Sequence, residues 1–471
     1  LTLLNQVLLL VVVLLTFRIA RTLFDVTAAW LSAGLVFGSD LLWKMSVSGL
    51  PTLLLMVMFL GIVWCMMAFA ALDTAEKATL RRQFTFAIAV GLLAGLGMLT
   101  RYSFGWIMVP VIAYFATFGG ARKIGLAVTS MLVCSFVVLP WIVRNYTVSG
   151  TFLGTAGYAV VEGTMGFPDS RLIQSINPDM MPAYWVMPYL VKLQVNLRLL
   201  LQNDLPRVGG VWIAILFFAG LLLALRNTLA RRLRFFTMTC LGMFLIVAAL
   251  GRTHLSNISP DLNTENPLVL LTPMIVIFAV RSFLKLLNQM NVPSLQVRYA
   301  VITLVMALAC QPFIMSLLPP KTSPTTYPPY YPPEIQRISG WMKPDELMMS
   351  DIPWAVAWYG HHQCAWLTIN SDYEFFQFYD YVKHVDALYL TLNTIDAKLF
   401  TECLQANAET WGSFVFERIG VDKIKKPDTV DLWSNIVFRN TVPRPASRTF
   451  PLSAAPSDVF TGLFLTDHQR W

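Results

Sequence analysis

Charge is what this sequence has least of. Asp, Glu, Lys and Arg together make up 13% of its 471 residues, against ~25% in an average soluble domain. That scarcity excludes a soluble globular protein. With 56% hydrophobic residues and a mean hydropathy of +0.58, the chain reads as a membrane protein. The net charge of +8 is modest and is scattered through short loops between apolar runs. Such a pattern is topogenic, and nucleic acid is not expected as a partner.

Other absences narrow the chemistry. There is no Walker loop, no Gly-rich dinucleotide turn and no nucleophile elbow. Four of the six cysteines, Cys65, Cys134, Cys240 and Cys310, lie in apolar runs as small buried hydrophobes. Cys364 and Cys403 lie in the polar C-terminal part and can pair if that part is outside the cytoplasm. The adjacent His361 and His362 point to opposite faces of an extended segment. Without cysteine or carboxylate neighbours to complete a ligand set, they predict no metal site. The chain starts at Leu1, directly in an apolar run, without the charged region or cleavage site of a signal peptide. The expectation is that the protein's beginning lies upstream.

Apolar windows long enough to span a bilayer recur through the first two thirds of the chain, at roughly twenty residues each. They are 3–19, 27–44, 51–72, 84–99, 105–118, 124–143, 211–225, 236–250, 267–280 and 299–318. The stretch 84–118 reads as two spans joined by a tight turn at 101–104. Every second loop is basic, with Arg18 and Arg21; Lys77, Arg81 and Arg82; Arg122 and Lys123; Arg226, Arg231, Arg232 and Arg234; and Arg281, Lys285 and Arg298. The positive-inside rule assigns these loops to the cytoplasm, so residues 144–210 and everything after Pro319 fall outside. The expected fold is a polytopic α-helical membrane domain, residues 1–318, with an outer loop at 144–210. A Pro-rich linker, 319–340, and a small extracytoplasmic α/β domain, 341–471, follow it.

The outer loop is too long for a simple turn. From Tyr189 to Asn203, Leu190, Leu193, Leu197, Leu200 and Leu201 fall on one helical face, with Lys192, Asn196, Arg198 and Gln202 towards the other. That pattern predicts a helix lying in the interface plane. Earlier in the loop, Gly154, Gly157, Gly163 and Gly166 surround Tyr158 and Glu162 in a loop able to approach a ligand closely. Beyond the prolines, 347–350, 365–369, 387–391 and 459–465 read as strands, and 372–383 and 395–405 as helices. Asp351, before Pro353-Trp354, reads as a turn residue at a strand end.

Ionisable groups cluster where spans reach the outer face: Arg101 and Tyr102; Arg144 and Asn145; Tyr158 and Glu162; and Arg252, His254, Asp261 and Glu265. Three outer arginines run against the positive-inside bias. Each either anchors its helix or meets an anion, and together they suit a lipid phosphate. Asp40 lies inside the second window, where a carboxylate is a functional suspect, although Gly38-Ser39-Asp40 is near enough to the outer end to be hydrated.

At Leu99-Thr-Arg-Tyr102, Pro140-Trp-Ile-Val-Arg-Asn145 and the outer soluble tail, the chain resembles the GT-C superfamily of integral-membrane glycosyltransferases. Within it, the chain looks like bacterial relatives of the dolichyl-phosphate-mannose protein mannosyltransferases and the aminoarabinose lipid A transferase. The resemblance implies transfer of a sugar from a polyprenyl-phosphate donor to a protein, lipid or cell-surface glycan acceptor on the outer side of the cell membrane, the C-terminal domain being extracytoplasmic. It also implies an acidic general base in the first outer loop, with cations stabilising the leaving phosphate. The first window here runs from outside to inside and so matches the family's second helix. The base is therefore expected upstream of Leu1, and none is assigned in this numbering. By the same resemblance Arg101 and Arg144 are candidates for the donor phosphate, and Asn145 for orienting the adjoining loop. Glu265, in Glu265-Asn-Pro267, only partly echoes a further family motif. No cofactor is identified, although the family leaves room for a divalent metal. Two other classes fit the composition: a lipid-linked sugar transporter or flippase, which predicts repeats and Gly/Pro-broken helices meeting in mid-membrane, and a non-catalytic scaffold with a glycan-binding outer domain.

Overall fold

The structure is a computed structural model that describes residues 1–74, 79–168, 170–176, 178–253, 256, 266–290, 294–318, 331–371, 373–391, 393–394, 410–412, 414, 453–454, 462–468 and 470. The chain divides into two compact units. The first is helical and comprises residues 1–169 and 181–325; the second comprises 170–180 and 326–471.

In the helical unit, α1 (Thr2–Leu23), α4 (Thr52–Thr74), α5 (Leu80–Thr100), α7 (Lys123–Ser149), α11 (Thr228–Gly251) and α12 (Thr272–Gln289, extended at its start by a 3-10 turn from Pro267) are the helices long and apolar enough to cross a membrane. Among the described residues, the α12 span is the most enclosed and α7 the least, so α12 forms the centre of this unit and α7 an outer face. The glycines of α5 set its partner. A Cβ on Gly91 would lie 2.5 Å from the Ser130 carbonyl oxygen of α7, and one on Gly95 would lie 2.8 Å from Val137 Cβ. Small residues four apart let the two backbones approach, where no hydrophobic force separates protein from lipid.

α5 ends at Arg101, whose extended backbone (φ −155°) turns the chain into a 3-10 segment, Tyr102–Ile107, and then α6 (Met108–Phe118). The stretch 84–118 is therefore two helical pieces, as expected, but the second, Tyr102–Phe118, is shorter than the other spans.

The basic loops gather at one end of this unit. Arg122 at the start of α7 bonds Gln83 at the start of α5 at 2.8 Å. The Arg232 guanidinium, near the start of α11, lies 5.2 Å from the Phe118 ring centroid. Asn227 donates to the Leu23 carbonyl, and Arg281 pairs with Asp25 at 3.7 Å. Helices α5, α7 and α11 all start at this basic end, so their C-terminal ends point to the opposite one.

Three expected spans are not straight. The window 27–44 is α2 (Val26–Phe37) and α3 (Asp40–Val47), bent by 52° at Gly38-Ser39. The window 299–318 is α13 (Leu295–Ala309) and α14 (Gln311–Leu317), bent by 63° where Pro312 enters the first turn of α14. The window 211–225 holds only α10 (Val211–Leu221), preceded by α8 (Val186–Leu199), a π-turn and α9 (Leu205–Gly209). The bend there is 102°, at Gly210 with φ +83°, a conformation that glycine adopts without strain.

The second unit is an α/β sandwich around one sheet, with strands β1 (Met348–Ser350), β2 (Cys364–Trp366), β3 (Ala387–Leu390), β4 (Ser453–Ala454) and β5 (Leu463–Thr466) in the order β2-β1-β3-β5-β4. β1 pairs in parallel with β2 and β3; β5 runs antiparallel to β3 and β4. Alternate residues serve the two faces. Met348, Ala387, Tyr389 and Phe464 pack on α15 (Pro332–Ser339) and α16 (Pro353–Gly360). Met349, Leu388, Leu390 and Leu465 pack with Phe375 and Phe376 of α17 (Tyr373–Tyr381). The strands expected at 347–350 and 387–391 and the helix at 372–383 are found within a residue or two. Pro332 and Pro333, expected in the linker, instead open α15, where a missing N–H costs nothing. The helix expected at 395–405, the residues 319–330 and Cys403 lie outside the described residues.

Candidate functional site

At the end of the helical unit opposite the basic loops, the two motifs that carried the family resemblance meet. The Tyr102 hydroxyl accepts from Trp141 Nε1 at 2.6 Å and from Asn145 Nδ2 at 2.8 Å. Asn145 is buried, and its amide also reaches the Phe152 carbonyl at 3.5 Å. α7 does not end at Pro140-Trp-Ile-Val-Arg-Asn, as expected, but continues to Ser149 and stops at Gly150, φ +69°. Pro140 is tolerated inside it. Continuation of the helix decides which side chain faces in: Asn145 does, and Arg144 does not. Arg144 is exposed and lies over the Trp141 ring, 4.8 Å from its centroid. Arg101, at the break after α5, is half-buried.

A second cluster forms where the loop 150–168 meets α8 and the end of α11. Tyr158 opens a helical turn, Tyr158–Val161, that packs against α11. Glu162 follows and is 1% exposed. Lys192, 4% exposed, donates to the carbonyls of Ala159 (2.8 Å), Val160 (3.2 Å) and Glu162. One ammonium thus supplies donors to three carbonyls at the end of the turn. Beside it, Gly163 (φ +72°) approaches the Arg252 carbonyl, Arg252 forms an ion pair with Asp204 at 3.1 Å, and Asn196 donates to the Ala249 carbonyl at 2.9 Å.

The two-faced reading of 189–203 holds for Leu193, Leu197 and Leu200, which pack on the core, and for Arg198 and Gln202, which are exposed, but not for every residue. Lys192 and Asn196, one turn apart, face in, while Leu190 and Leu201 are exposed. The long polar side chains of Lys192 and Asn196 reach carbonyls of the neighbouring turn and of α11. Lys192, Asn196 and Asp204 were missed as site residues. Their signal was the i,i+4 spacing of Lys192 and Asn196, which places both on one helix face. His254, Asp261 and Glu265 lie outside the described residues.

Asp40 has a different setting. It forms an i,i+4 ion pair with Lys44 at 3.0 Å and lines a cavity of about 270 Å³ with Ser39, Arg207, Gly210, Thr272 and Ala309. All three helix breaks border this cavity: a Cβ on Gly38 would meet Cys310 Sγ at 2.3 Å, and one on Gly210 would come to 4.0 Å from the Ala309 carbonyl. Irregular backbone at membrane depth is tolerated where it is buried in protein or lines a polar cavity. Among the described residues no group of three or more His, Cys, Asp or Glu side chains is arranged to hold a metal.

These helices define a polytopic integral membrane protein whose ionisable groups are gathered at helix ends and breaks. No protein-family model matches the chain, and no curated protein matches it. It is similar to the crystal structure of ArnT from Cupriavidus metallidurans in the apo state, with 12% identity and a TM-score of 0.45 over 83% of this chain and 79% of that one. It is also similar to the structure of ArnT bound to undecaprenyl phosphate, with 13% identity, a TM-score of 0.45 and the same coverage.

Proposed function

We propose that the protein is a membrane glycosyltransferase that moves a sugar from a polyprenyl-phosphate donor to an acceptor on the outer side of the membrane. The observation that carries this reading is the convergence of ionisable groups, the buried Glu162 and Lys192 and the partly buried Asp204 and Arg252, at the end opposite the basic loops. Charged groups within a membrane protein are costly to bury and are retained where they serve a substrate. In this reading Arg252 and Arg101 face the donor phosphate, Arg144 meets it from the exposed rim, and all three stabilise the charge that develops as it leaves. Tyr102 and Asn145 hold the end of α7 against the turn after α5, and Glu162 with Tyr158 contacts the sugar or the acceptor hydroxyl. The test is transfer from a polyprenyl-phosphate sugar donor by membranes carrying the intact protein, comparing parent with Glu162→Gln and Arg144→Ala. Each is expected to lower transfer by roughly tenfold or more at equal protein level. Unchanged turnover in both would sink the assignment of this end as the site.

A second reading, transport of a lipid-linked sugar, draws on the three helix breaks that border the cavity holding Asp40 and Arg207. Broken helices meeting at a binding site are a transporter device. Flipping of a labelled polyprenyl-phosphate sugar across proteoliposomes without transfer, abolished by Asp40→Asn, would favour it over the transferase.

A further inference from the structure

The basic end of the helical unit contains a cavity that the proposed reaction does not use. It has a volume of about 720 Å³ and lies between the end of α1, the end of α10, the start of α11 and the end of α12. Four cationic residues from three chain segments line it, Arg226, Arg234, Arg281 and Lys285, with Asp25 as the one carboxylate. Topogenic charge needs only a loop in water; these side chains instead border a partly open cavity.

Its construction follows from the sequence. Gly220 and Ser282 bring α10 and α12 together so closely that a Cβ on Gly220 would lie 1.8 Å from Ser282 Oγ. Directly after that contact α10 ends, at Leu221, and the chain runs irregularly to Asn227. Arg234 fixes this irregular run by donating to the Leu221 carbonyl at 3.3 Å and the Leu223 carbonyl at 2.7 Å. Arg281 is held by Asp25 and lies 5.3 Å from the Phe24 ring centroid. Arg234 and Arg281 are therefore part of the wall. The rest of the wall is mainly apolar, with Leu23, Phe24, Leu221, Leu225 and Phe278 beside Asn227 and Ser282.

We propose that this cavity binds the phosphate headgroup of an anionic phospholipid, with Arg226 and Lys285 as the principal phosphate contacts and the apolar wall against the glycerol and upper acyl carbons. The formal charge of the lining, four cations against one carboxylate, suits a phosphate. The mixture of cations and apolar side chains suits an amphiphile more than a free ion. Basic pockets between helices at the cytoplasmic end are where such headgroups bind.

The test uses the full chain purified in detergent, with thermal stability followed during titration by phosphatidylglycerol, phosphatidylcholine or inorganic phosphate. Three proteins are compared: the parent, Arg226→Gln with Lys285→Gln, and Arg81→Gln with Arg82→Gln. The last pair removes equal charge from the same end, outside the cavity. Phosphatidylglycerol is expected to stabilise the parent and the Arg81/Arg82 variant at similar concentrations, and the Arg226/Lys285 variant only at about tenfold higher concentration. Equal stabilisation by phosphatidylcholine, or equal loss in both variants, would overturn the proposal. Stabilisation by inorganic phosphate as strong as by the lipid would overturn the amphiphile assignment.

Discussion

Lys192→Met removes an ammonium and leaves a side chain of similar length in a site that is 4% exposed. In the parent, the ammonium serves the carbonyls of Ala159, Val160 and Glu162. A buried acceptor that loses its donor costs about 1–3 kcal/mol. Ala159 and Val160 are partly exposed and water can replace the donor there, so the expected destabilisation is about 1–3 kcal/mol, the cost at the buried Glu162. The loss is local in origin. The bonds from the Glu162 amide to the Tyr158 carbonyl and from the Gly163 amide to the Phe167 carbonyl, both 2.8 Å, depend on the same turn. Equilibrium unfolding in mixed micelles measures the first quantity, and hydrogen exchange at residues 158–167 measures the second. Lys192→Arg, which keeps donors at nearly the same reach, should recover part of both. A Lys192→Met protein within about 0.5 kcal/mol of the parent, with unchanged exchange at 158–167, would refute the bracing role.

Further predictions concern the other contacts. Tyr102→Phe and Asn145→Ala should be coupled by about 1 kcal/mol in a double-mutant cycle, because the amide donates to the hydroxyl at 2.8 Å; additive effects would mean that the bond contributes nothing. Gly91→Val should destabilise by about 1–3 kcal/mol through overpacking against the Ser130 carbonyl, whereas Gly242→Ala, which meets nothing within 4 Å, should be nearly neutral in unfolding assays. Burial raises the Asp351 carboxyl above the ordinary aspartate value, against hydrogen bonds from Thr391, Thr394 and Ser350. The folded state then keeps this proton to higher pH than the unfolded chain, so stability falls as pH rises from about 4 through the raised value. Hydrogen exchange of β3 across that window should show the slope, and Asp351→Asn should flatten it.

Much of the helical unit was legible because its signals are local. Twenty apolar residues in a row and alternate basic loops follow from the bilayer alone. The breaks were not legible: Gly38-Ser39 and Cys310-Gln311-Pro312 lie inside unbroken apolar windows, and Gly209-Gly210 directly precedes one. Only packing, such as Gly38 against Cys310, selects a bend there. The candidate site divides in the same way. Arg101, Tyr102, Arg144, Asn145 and Glu162 stood out as polar groups at span ends. Asn145 and Arg144, however, exchanged importance, because one further turn of helix after Pro140 rotates Asn145 inward. Lys192 was placed on the polar side of its helix, and nothing local in the sequence marks the carbonyls it serves, 30 to 33 residues away. In the second unit, Asp351 was read as a turn residue; the structure adds that its carboxylate ties the end of β1 to Thr391 and Thr394 after β3.

The second unit is not one continuous stretch of chain. Residues 170–180 belong to it, and Ser175 donates to Glu374, 199 positions later, at 2.7 Å. During synthesis the ribosome releases this strip long before the sheet it joins, and every helix from α8 to α14 is made in between. Completion of the unit is thereby tied to insertion of the last membrane helices, and a fragment begun at residue 326 would lack a piece of its own structure. Supplying residues 170–180 as a separate peptide is the direct way to restore it.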